Sequence, residues 1–123
     1  MIKLLKLAVL AGVVVLVSPG PGSAVANYDG DWSVVVITEQ GDCDRAYRYP
    51  LTVTNGSIQY LNGAGVSITG RVDAHGRLRA TISRGAQHAD GSGRLNASTG
   101  SGTWTGKDSV KQCSGRWEAE RRG

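Results

Sequence analysis

The feature that most limits what this chain can fold into is its punctuation. From Trp32 onward, runs rich in Val, Ile, Thr, Tyr and Trp are broken by clusters of Gly, Asn, Asp and Ser, at the roughly 8–12-residue spacing of short strands joined by turns. No stretch carries an apolar stripe at helical spacing. Eighteen glycines among β-branched runs argue further against helix, since both residue types are poor helix formers. The clearest local signal is Asn55-Gly56, a type I′ hairpin turn between Leu51–Thr54 and Ser57–Tyr60. Pro50 has no N–H to give a ladder, so it must lie at an edge, bend or bulge.

Read this way, the chain holds about eight strands: Trp32–Thr38, Arg45–Thr54, Ser57–Tyr60, Val66–Val72, Arg77–Ser83, Ala86–Leu95, Ser101–Thr105 and Cys113–Arg121. The fifth alternates most cleanly, with Leu78, Ala80 and Ile82 on one face and Arg77, Arg79, Thr81 and Ser83 on the other. The Gly-rich Ala86–Leu95 segment reads as a bulged strand or a strand after a loop. Eight strands with short connections form an all-β, antiparallel up-and-down meander. Cys43 follows the first strand and Cys113 opens the last. Closing the meander into a barrel puts these two positions side by side and removes both sheet edges. A two-sheet sandwich with the same bridge is the alternative architecture.

Residues 1–26 read as a cleaved signal peptide. Lys3 and Lys6 precede the apolar run Leu7–Val17, Ser18–Gly22 breaks it, and Ala24-Val25-Ala26 offers a small-x-small cleavage pattern. The run is too short to span a bilayer core, which takes about 20 residues; a retained membrane anchor is the competing reading. Cleavage leaves 97 of the 123 residues, a single domain over 27–123. It also removes two of the 14 basic residues, leaving 12 against 10 acidic ones, a net +2. The charges alternate in sign along the chain, apart from Arg121-Arg122. That speaks against nucleic acid as a partner; with the apolar run removed at cleavage, no membrane partner is expected either. In a secreted or periplasmic protein a lone pair of cysteines is most simply a disulfide. A bridge closing so long a loop is worth roughly 4 kcal/mol in the chain-entropy account. Half a metal site and two free thiols are the alternatives, and His75 and His88 lack metal-ligand spacing to either cysteine.

At Gly30-Asp31-Trp32 the chain resembles the calycin superfamily, the lipocalins and avidins, whose barrels open on a Gly-x-Trp. In lipocalins a basic residue of the last strand packs over that tryptophan and closes the barrel base. The resemblance implies this part for Arg121 or Arg116. Ser101–Gly106 is similar to a late avidin strand. Size, export and the Gly-x-Trp opening are similar to small bacterial barrel inhibitors of metalloproteases, although their early disulfide is not matched here. The avidin ligand set has no residue-by-residue counterpart.

Candidate chemistry is sparse. Asp73, His75, His88 and Asp90 are the one titratable cluster worth weighing: His88-x-Asp90 could orient an imidazole for acid-base work or help hold a metal, but all four fall where turns are expected, so backbone roles are favoured. There is no Gly-x-Ser-x-Gly elbow and no Gly-rich loop opening a helix. Four Gly-Arg steps recur, at Gly70-Arg71, Gly76-Arg77, Gly93-Arg94 and Gly115-Arg116. They read as turn glycines beside solvent-facing arginines, or as an Arg-lined surface for anions. With no Phe in the chain, Trp32, Trp104 and Trp117 are assigned to the core. Tyr47, Tyr49 and Tyr60, expected near the Asn55-Gly56 hairpin, with Arg77 and Arg79, are the candidate ligand- or partner-binding residues. The expectation is an exported, non-enzymatic binding protein without cofactor or metal, its barrel filled by side chains and its loops or surface holding a protein partner in the manner of an inhibitor. A small ligand in the barrel mouth, a structural envelope role and an enzyme are the alternatives.

Overall fold

The structure is a computed structural model that describes residues 27–60 and 65–123; the signal peptide expected over 1–26 lies outside the described residues. Eight strands follow in order: β1 (Gly30–Gln40), β2 (Ala46–Thr54), β3 (Ser57–Gln59), β4 (Ser67–Val72), β5 (Arg77–Arg84), β6 (Gln87–Leu95), β7 (Thr99–Lys107) and β8 (Gln112–Arg121). Each pairs antiparallel with the next, and β8 returns to β1, so the sheet is a closed up-and-down barrel, compatible with a small calycin-like one. The seam runs from Trp32 opposite Arg121 to Gln40 opposite Ser114, with a register shift between Thr38 and Gln40. There the Cys43–Cys113 disulfide ties the β1–β2 connection to the start of β8, with its Cα atoms 6.2 Å apart.

Local chemistry explains the joints. Asn55 and Gly56 both have positive φ, as a type I′ turn requires. The Asp29 carboxylate accepts from both of their backbone N–H groups, at 2.8 and 3.3 Å. Pro50 pairs with Ser33 of β1, and the ladder from β2 to β3 covers only Thr52–Thr54. The residue without an N–H thus sits beyond the short β2–β3 ladder, as its chemistry demands. The expected turn at Asp73 is present: its carboxylate accepts from the N–H groups of His75 and Arg77, at 2.8 and 2.9 Å. These bonds hold the carboxyl below its usual range, Arg77 contributing most. His88 and Asp90, expected in turns, instead lie within β6, where Asp90 accepts from the Thr81 hydroxyl at 2.8 Å.

Alternate residues point inward and build the core from Trp32, Val53, Ile58, Ile68, Val72, Leu95, Trp117 and Ala119. All three tryptophans are buried, and each indole N–H donates to a backbone carbonyl: Trp32 to Tyr28 at 2.9 Å, Trp104 to Ile37 at 3.0 Å and Trp117 to Ser92 at 3.0 Å. Inward glycines of β6 and β7 make room for them. A Cβ on Gly93 would come within 2.5 Å of the Trp117 ring, and one on Gly102 within 2.6 Å of its Nε1. The outer wall is mostly Thr, Ser, Arg and other polar residues, the reverse of the apolar-out pattern of membrane-spanning barrels.

One end of the barrel is closed. Arg121 lies over the Trp32 ring, 5.3 Å from its centroid, and its guanidinium donates to the carbonyls of Ala97, Asn27 and Asp29. Of the two arginines that the calycin resemblance offered for this place, Arg121 takes it. Arg116 faces outward and pairs with Glu39 and Glu118.

Candidate functional site

The opposite end gathers the β1–β2, β5–β6 and β7–β8 connections around a mouth. Strand parity decides what enters it. On β5 the inward series Leu78, Ala80, Ile82 continues to Arg84, and on β2 the inward series is Tyr47, Tyr49, Leu51, Val53. Trp104 on β7 forms the floor, fixed by its bond to the Ile37 carbonyl. The cleft encloses about 200 Å³ above Trp104, with Val36, Tyr49, Ile82 and Ala89 on its walls and Arg84, His88 and Lys107 towards its rim. Below it an almost wholly apolar cavity of about 60 Å³ lies among the core side chains and shares Val36, Tyr49 and Ile82 with the cleft. The barrel thus has a hollow at its open end and a smaller void within its core, which differs from the expectation of a fully filled interior.

The three tyrosines are together. Tyr49 stands between Tyr47, at 6.0 Å and tilted, and Tyr60, at 5.7 Å and edge-on. They lie at the mouth, at the other end of β2 from the Asn55-Gly56 turn, because β2 runs the full height of the barrel from Ala46 to Thr54. Burial raises the Tyr49 phenol above its ordinary pKa, with smaller contributions from its tyrosine neighbours. The Tyr47 phenol is raised first by hydrogen bonding to the Asp44 carboxylate and then by burial.

The rim is polar and mixed in sign. Asp108 accepts from the N–H groups of Val110 and Lys111, both at 2.7 Å, which lowers its pKa and fixes the β7–β8 connection. Asp44 faces Tyr47. Arg84, Lys107 and Lys111 stand against the two carboxylates of Asp44 and Asp108, so cations exceed anions by one in the lining. The two exposed large apolar residues among those described, Tyr47 and Val110, are also at this end, Val110 at 84 % exposure.

Arg77 and Arg79, grouped with the tyrosines on sequence grounds, sit elsewhere. They are exposed on the outer face of β5, and Arg77 begins that strand at the closed end. His75 is at the closed end and His88 at the mouth, so the two histidines do not meet. No group of three metal-ligating side chains occurs among the described residues. Sequence reasoning missed Arg84, Lys107 and the floor position of Trp104. For Arg84 the signal was present: it continues the inward parity of Leu78, Ala80 and Ile82, but the Arg84-Gly85 pair reads first as a turn. No family model, no curated protein and no solved structure matches this chain.

Proposed function

We propose that this is an exported, non-enzymatic binding protein of calycin type that takes a small amphipathic anion in its open mouth. The observation that carries the reading is the cleft itself: an apolar, aromatic-walled hollow beneath a polar rim in which three cations face two carboxylates. Small-ligand sites combine an apolar lining with a few polar groups that orient the ligand. A hollow of about 150 Å³ suffices to bind a benzene ring, so the larger one here suits a short acyl chain or an aromatic acid. The reading is one of binding without turnover, since Asp73 serves its turn, Asp90 accepts from Thr81 and the histidines stand at opposite ends. Export is supported by the leader-like residues 1–26 and by the disulfide, which suits a non-reducing compartment.

Calorimetric titration with octanoate and with octanol tests it. The acid is expected to bind more tightly than the alcohol, and Arg84→Gln is expected to erase the difference. Equal, Arg84-independent binding of both, or binding of neither, overturns the proposal. A second reading, an inhibitor-like protein partner at the same end, is favoured by Val110 and Tyr47, the exposed large apolar residues there. It requires Val110→Asp to abolish binding of a protein target without changing octanoate affinity.

A further inference from the structure

The recurring Gly-Arg steps acquire a meaning that the linear order of charges hides. In three of them, Gly70-Arg71, Gly93-Arg94 and Gly115-Arg116, strand alternation turns the glycine into the barrel and the arginine out of it. A Cβ at Gly70 would meet that of Ala80 at 2.9 Å, and one at Gly93 would meet Trp117. The barrel register then sets Arg71 directly opposite Arg79 across β4–β5, and Arg77 directly opposite Arg94 across β5–β6. All four are exposed. Among the described residues none makes an ion pair, the three salt bridges lying with Arg116 and Arg122 on β8 and its extension. β4 and β5 carry no carboxylate at all, while Glu39, Glu118 and Glu120 collect on β1 and β8. A sequence whose charges alternate along the chain therefore folds into a barrel with one basic wall.

Side chains directly opposite on neighbouring strands have Cβ atoms about 5 Å apart, and like charges there are destabilising. Two such pairs side by side are hard to account for by folding alone. Beside them runs an open groove of about 460 Å³ lined by Thr69, Arg79, Thr81, Asp90, Ser92 and Thr103. It offers hydroxyls and one carboxylate, with no aromatic or large apolar side chain.

We propose that the outer face of β4–β6 is a docking strip for an acidic polysaccharide. The arginines match sulfate or carboxylate groups, which they bind through paired N–H donors. The Thr and Ser hydroxyls and the Asp90 carboxylate match sugar hydroxyls, which a chain made only of phosphates does not offer. Single-stranded nucleic acid is disfavoured because the face has no stacking platform. An anionic membrane is disfavoured because the face has no apolar residue to insert.

Chromatography of the purified protein on immobilised heparin in rising salt tests the strip. The wild type is expected to be retained. Arg71→Gln with Arg79→Gln is expected to weaken affinity at least tenfold and lower the salt dependence, as loss of anion contacts requires. Arg116→Gln with Arg122→Gln removes the same charge from the other wall and is expected to leave retention nearly unchanged. Relief of the opposed charges should leave the first variant at least as stable as the wild type in urea; should it fail to fold, Arg77→Gln with Arg94→Gln replaces it. Absent retention, equal loss in both pairs, or tighter binding to polyglutamate or phosphatidylglycerol vesicles than to heparin overturns the proposal.

Discussion

Two inward glycines two residues apart on β6 face different surroundings, and they make opposite forecasts. A Cβ on Gly91 finds its nearest neighbours at 3.6 Å or more, ordinary contact, and no positive φ stands in the way. Gly91→Ala is expected to be neutral or to stabilise by up to ~1 kcal/mol, by restricting the unfolded chain. A Cβ on Gly93 collides with the Trp117 ring and the backbone of Gly102. Gly93→Ala is expected to cost about 1–3 kcal/mol, the usual range for overpacking. Urea melts of the two variants check both. At the closed end, Trp32→Ala removes a buried indole and is expected to cost roughly 3–5 kcal/mol. His75→Ala and His88→Ala, at exposed positions, should stay within ~0.5 kcal/mol. A Trp32→Ala protein with nearly wild-type stability refutes the closed-end account. The core assignment of the three tryptophans was legible in the sequence because a chain without Phe has few other large side chains to bury. The part of Arg84 was not, because a residue before Gly at a strand end carries turn and parity signals together.

At the scale of elements, strand existence and order were legible almost throughout, since turn residues and period-2 alternation are both local. One miss is instructive. β7 runs from Thr99 to Lys107 rather than from Ser101 to Thr105, because Gly100 and Gly106, which read as turn residues, pair in the ladder with Leu95 and Ala89. β6 runs through Gly91 and Gly93 as the expected Ala86–Leu95 strand does, with no bulge in its pairing: these glycines are the room left for tryptophan rings. The barrel seam was also foreseeable, because Cys43 and Cys113 constrain which strands meet. Replacing both cysteines by Ser is expected to lower the unfolding free energy by about 2–5 kcal/mol, the typical loss for a small secreted domain. Ready alkylation of thiols in the native protein would contradict both the bridge and the closure it secures.

For the whole molecule, the fold separates two kinds of surface that the sequence interleaves: a mouth at one end and an arginine wall on one side. The sequence offered each only as an alternative, a ligand in the barrel mouth and an Arg-lined surface; which residues build them was not legible, because both depend on barrel register, which places residues from non-adjacent segments together. pH acts on the molecule from both directions. Tyr47 and Tyr49 have phenols raised in the folded state, so their contribution is fully present below the unfolded tyrosine pKa and fades as pH climbs through the folded values. Stability should therefore fall above about pH 10, with two tyrosines ionising late in an absorbance titration and one fewer doing so in Tyr49→Phe. Asp73 and Asp108 are lowered, so their contribution is present above the unfolded carboxylate pKa and is lost as pH falls through the folded values. Asp108→Asn should flatten the acid limb of the stability curve. The central claim is that binding takes place in the open mouth, and amide and indole chemical-shift mapping during an octanoate titration addresses it most directly. The account predicts that the Trp104 indole N–H and the amides of Ile82, Ala89 and Tyr49 move most, while Trp32 and the Asn55-Gly56 turn stay in place; shifts centred on the closed end, or none at saturating octanoate, would contradict it.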